Sequence, residues 1–76
     1  MMIPPDDPIQ IAYAVAKILV DKGYRAGVLL GADNVAVAVK LGLGNEMLQV
    51  KINQGVAERG TDWIVEQIVK HISSIN

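Results

Sequence analysis

The middle of the chain alternates between apolar and small or polar positions. Val35, Val37, Val39 and Leu41 fall on one side, and Ala36, Ala38 and Lys40 on the other. After the interruption Gly42 to Asn45, Leu48, Val50 and Ile52 restore the alternation against Gln49, Lys51 and Asn53. A repeat of two sends successive side chains to opposite faces of a sheet, so this is a hairpin with one face that must be covered. An earlier run, Tyr24 to Leu30, adds a strand with Tyr24, Ala26, Val28 and Leu30 on one face. The turn GADN between them puts Gly31, Asp33 and Asn34 where left-handed or cap-like geometry costs little. Strands are therefore predicted over 24–30, 35–41 and 46–53. A competing reading makes 34–41 a short helix capped at Asn34 and stopped by Gly42. The strictly alternating valines favour the strand, because β-branched side chains are stiff in helices and pack well on a pleated surface.

The flanks change period. Asp7, Pro8 and Gln10 form a helix start: an N-cap acceptor, a proline whose missing N–H costs nothing, and an amide side chain placed to reach back. Asp6 and Asp7 also lie at the positive end of the helix dipole. The first helix is predicted from Pro8 to Lys22, with Gly23 as its left-handed terminator. Ile11, Val15, Ile18 and Leu19 make its core stripe, and Ala12 and Ala16 allow a close approach to the sheet. Ile9, Tyr13 and Val20 lie off that stripe. Residues 54–60, QGVAERG, read as a loop or half-turn between glycines. A second helix is predicted from Thr61 or Asp62 as N-cap to about Ser74, with Ile64, Ile68, Ile72 and Ile75 on a ridge broadened by Val65 and Val69. Residues 1–7, with Pro4 and Pro5, form an extended arm before a single domain over 8–76.

At 76 residues the chain has room for one small core. It is 51% hydrophobic and only 20% charged, an apolar surplus that a small domain hides most simply against a copy of itself. Ile9, Tyr13, Val20 and Trp63 are the candidate interface residues, Trp63 because it is the single tryptophan and falls off the isoleucine ridge. The alternative for Trp63 is a staple folded back over the QGVAERG segment. With no cysteine, disulfides and thiolate chemistry are excluded, in keeping with a reducing compartment. No run is long enough to cross a bilayer, and Lys17 interrupts the apolar stretch 11–20. The expected location is cytoplasmic.

Candidate chemistry is sparse. One histidine, His71, does not assemble a metal site, and no cofactor is implied. GLGN lacks the lysine and hydroxyl of a phosphate loop and joins strands rather than leading a strand into a helix. Asp33 and Asn34 sit at a strand end, where polar site residues are often held, although turn formation explains them as well. The predicted order of helix, three strands and helix resembles the topology of double-stranded RNA-binding domains and of small toxins built on the same scaffold. That resemblance implies minor-groove contacts through basic residues. The corresponding helix start here offers Arg59 followed by Asp62, and the strand region lacks the toxins' histidine. The net charge is −1, with basic residues scattered singly; Arg25, Lys51 and Arg59 are the cations a patch would draw on.

The reading is a small α+β domain of αβββα order: an antiparallel three-stranded sheet packed against two helices. The expected function is a non-catalytic interaction or assembly protein, homodimeric and without membrane association. A nucleic-acid-binding module using Arg25, Asp33, Asn34, Lys51 and Arg59 is the alternative, and a small enzyme stands third.

Overall fold

A computed structural model describes residues 7–42 and 44–75, the last of these by its backbone alone. The arm before Asp7 and the side chain of Ile75 lie outside the described residues. The elements are α1 (Pro8–Asp21), β1 (Ala26–Leu30), β2 (Val35–Lys40), β3 (Met47–Lys51), α2 (Gln54–Ala57) and α3 (Thr61–Ile75). The strands form an antiparallel sheet in the order β1-β2-β3. Residues 35–40 are strand, not helix, as the alternating valines favour. All three strands are shorter than the sequence reading set them.

Helix α1 begins where its sequence says it should. Asp7 has extended backbone angles, and its carboxylate accepts the Gln10 amide at 3.2 Å, with Pro8 just inside the helix. The end is a Schellman motif. The Tyr24 amide donates to the Leu19 carbonyl and the Gly23 amide to that of Val20, each at 3.0 Å. Gly23 turns the chain at φ 98°. That reversal lays Tyr24 against the core and feeds the chain back along the helix as β1.

The register sets Val28 opposite Val37 and Val37 opposite Val50, so their side chains share the face under the helices. Val35, Val37, Val39 and Ile52 are buried there; Leu48 and Val50 are partly buried. From α1 come Ile11, Ala12, Val15 and Leu19, and from α3 Ile64, Val65, Ile68 and Ile72. Two details depart from simple alternation. Leu30, placed by its spacing on the buried face, is 58% exposed, because α1 starts beside the end of β1 and does not roof it. Ala36 and Ala38, on the opposite face of the central strand, are nevertheless buried. Ala36 lies between Leu29 and Lys51, longer side chains that its methyl group does not clear, and Ala38 lies between Gly27 and Gln49.

Of the two readings of 54–60, loop or half-turn, the second is nearer: residues Gln54–Ala57 form a four-residue helical turn. The Asn53 side chain accepts the Val56 amide at 2.8 Å, and α2 carries Ala57 into the core. The start of α3 is corrected. The Gly60 carbonyl accepts the first helical amide, that of Ile64, so Gly60 rather than Thr61 or Asp62 is the capping position. At φ 92° it also terminates the turn before it. In the β1–β2 turn no residue has positive φ. A Cβ at Gly31 would stand 2.6 Å from the Asn34 side-chain oxygen, so the Asn34 side chain would have to turn aside.

Candidate functional site

The polar residues singled out from the sequence do not converge. Asp33, Asn34 and Lys51 line one open depression of about 620 Å³ at the end of the sheet, together with Asp7, Ile9 and Leu30. Arg25 precedes β1 at the opposite end. Arg59 is elsewhere again, its guanidinium 5.0 Å above the Trp63 ring. That distance is within the range of a cation–π contact, so Arg59 is engaged by its own chain. Within the depression, Asp33 and Asn34 are exposed turn residues and Asn53 is used as a helix cap. Among the described residues no group of three histidine, cysteine, aspartate or glutamate side chains could hold a metal ion.

Trp63 lines a crevice between α3 and β3 with Leu48, Val50, Val56 and His71. It remains 38% exposed, stapled to the α2–α3 corner by Arg59. Both readings of Trp63 therefore keep part of their ground: it packs on the segment before it and still shows an edge to solvent.

The outer face of the sheet gathers what the sequence scatters. Cross-strand pairing sets Lys40 beside Met47, Ala38 beside Gln49, and Ala36 beside Lys51. Arg25 joins Lys40 through a 2.9 Å backbone bond. Alternation then places Arg25, Lys40 and Lys51 on this face with glycine, alanine, leucine, methionine and glutamine, and no acid. Lys40 is a member that the linear reading passed over.

The apolar surface is gathered more sharply still. Of the seven large apolar side chains exposed among the described residues, five are Ile9, Tyr13, Val20, Leu29 and Leu30. Ile18 of α1 borders a crevice with Val65 and Val69 of α3, which fixes the side of α1 that faces α3. Ile9, Tyr13 and Val20 lie on the other side of the helix, spaced as one stripe. Because β1 runs back along α1, this stripe follows the outer edge of β1, and Ile9 shares the depression with Leu30 at its end. The interface candidates on α1 thus sit together on one side of the molecule. The sequence reading missed that Leu30 extends them, and that Leu29 is exposed on the opposite face of the same strand beside Met47; the uncharged run AGVLL was the available signal.

Among the described residues no helix is long and apolar enough to cross a membrane. No protein-family model, curated protein or solved structure matches this chain.

Proposed function

We propose that this is a small non-catalytic assembly protein that works as a homodimer through the side formed by α1 and β1. One observation carries the reading: four of the seven exposed large apolar side chains among the described residues, Ile9, Tyr13, Val20 and Leu30, fall along α1 and the helix-side end of β1, while Leu29 shares the outer sheet face with Met47 and Trp63 lies on α3. Scattered surface leucines are ordinary in a monomer, but a continuous apolar strip along one helix and one strand edge marks a contact surface. Light scattering over a concentration series tests it. The expected mass is twice the 8.2 kDa of the chain. Tyr13→Asp, at a position 54% exposed, is expected to return the monomer mass with the circular dichroism spectrum of the fold retained. A mass of 8.2 kDa at every concentration overturns the reading.

Nucleic-acid binding is the second reading, and the acid-free outer face with Arg25, Lys40 and Lys51 is the observation in its favour. It ranks lower because that face has no aromatic side chain on which a base could stack, and Arg59 is held by Trp63.

A further inference from the structure

Resting on the homodimer reading, we infer that the two copies join by antiparallel pairing of β1 with β1 about a two-fold axis at Val28, making one continuous six-stranded sheet. The backbone of β1 is set up for this. The Arg25 carbonyl accepts from Lys40 and the Gly31 amide donates to Asn34, so both residues direct their groups toward β2. Alternation along an antiparallel ladder then turns Gly27 and Leu29 the same way. Ala26, Val28 and Leu30 consequently direct their N–H and C=O groups outward. With Val28 opposite its own copy, Ala26 meets Leu30 of the second copy, and these outward groups form a matched ladder.

The side chains fit the same register. The strand reads Ala, Gly, Val, Leu, Leu, with its small residues at one end and its large ones at the other. Reversal about Val28 therefore sets each large residue opposite a small one: Leu30 across from Ala26 on the helix side, and Leu29 across from Gly27 on the outer side. A strand with large residues at both ends would have no such self-complementarity. A second copy is thus the occupant that this edge fits.

The helices agree with the strands. Helix α1 packs over β1 and β2. With strands ~4.8 Å apart, a helix over the β1–β2 seam and its symmetry mate lie about 10 Å apart, at the upper end of ordinary helix packing distances. The stripes of Ile9, Tyr13 and Val20 would then face each other. Covering five half-exposed side chains on both copies buries on the order of 900 Å², before any backbone is counted, close to the ~1,000 Å² that a specific interface clears. The other edge is not equivalent. Strand β3 carries Gln49 and ends in Lys51, and a lysine on an edge opposes pairing, whereas β1 carries no charge at all.

The chain has no cysteine, so single cysteines report the register directly. Val28→Cys places two thiols opposite each other at a separation a disulfide spans. Leu30→Cys is more exposed but is displaced by four residues from its own copy in this register. Mild oxidation is expected to convert most of the Val28→Cys protein to covalent dimer and little of the Leu30→Cys protein. Leu30→Pro removes an outward amide that the β1–β2 ladder does not use, and is expected to raise the dimer dissociation constant at least tenfold with the circular dichroism spectrum retained. Equal cross-linking at the two positions overturns the register. A dimer unaffected by Leu30→Pro, in which Val28→Cys does not cross-link, overturns strand pairing while leaving the homodimer reading intact. A monomer removes both.

Discussion

Leu19 and Val20 are neighbours on one helix, and the fold gives them opposite environments. Leu19 is fully buried between α1 and the sheet, and its carbonyl accepts the amide that ends the helix. Val20 is 52% exposed on the apolar flank. Leu19→Ala removes a buried isobutyl group and leaves a cavity that a small core relaxes around only partly, a loss of about 3–4 kcal/mol. For a domain of this length the whole stability is about 4–11 kcal/mol, so the substitution takes a large share of it. Val20→Ala gives up roughly half a side chain's burial and recovers about 0.5 kcal/mol from alanine's better helix propensity, for a net change within about 0.5 kcal/mol. Urea unfolding followed by circular dichroism separates the two. With a slope of about 1–1.5 kcal/mol per molar, the Leu19→Ala midpoint falls by roughly 2–4 M and, at chain concentrations too low for pairing, the Val20→Ala midpoint barely moves. Each variant is measured at two chain concentrations, because association with a second copy adds stability that depends on concentration. Equal losses at the two positions, or a Leu19→Ala loss below about 1.5 kcal/mol, would refute the placement of α1 on the sheet.

Asp7→Ala is expected to cost about 1 kcal/mol, since the Gln10 amide loses its 3.2 Å acceptor at a start fixed by Pro8; thermal unfolding reads this, and no change would move the helix start elsewhere. Gly23→Ala meets no atom within 4 Å but forces a side chain into φ 98°, for an expected loss of about 1–2 kcal/mol in the same assay. An unchanged midpoint would mean that the Schellman turn can be closed another way. In fluorescence anisotropy at physiological salt, duplex RNA, duplex DNA and single strands are each expected to bind no tighter than about 10 μM, because three cations on an open face release few counterions. Submicromolar binding would promote the nucleic-acid reading, and charge reversal at Lys40 and Lys51 would show whether the outer face is responsible.

The sequence by itself determined the elements and most of the core. A period of two in residues 35–41 and 48–52, and a period near 3.6 in the flanks, can each be satisfied by only one backbone geometry if the apolar side chains are to share a face. The start and end of α1 were equally legible, because caps are made by neighbouring residues: Asp7 with Gln10, Gly23 with Val20, and Tyr24 with Leu19. The short helix α2 shows in the sequence only as a loop or half-turn, although its cap, Asn53, is local. A four-residue turn has too little periodicity to stand out between two glycines, and it is fixed in place by the burial of Ala57 under α1.

What only the tertiary structure decided is which residues meet across elements. Arg25, Lys40 and Lys51 are isolated charges along the chain but share one face of the sheet, Arg25 beside Lys40 and Lys51 at the other end, because strand pairing and parity set their placement and sequence distance does not. Leu30 matched the buried face by parity, yet parity says only which way a side chain points. Whether anything covers it depends on where α1 starts, and α1 leaves it open. The apolar side of the molecule has the same origin. Helix α1 supplies Ile9, Tyr13 and Val20 at helical spacing and β1 supplies Leu30 on its helix side, and these come together only when the glycine turn folds the strand back along the helix.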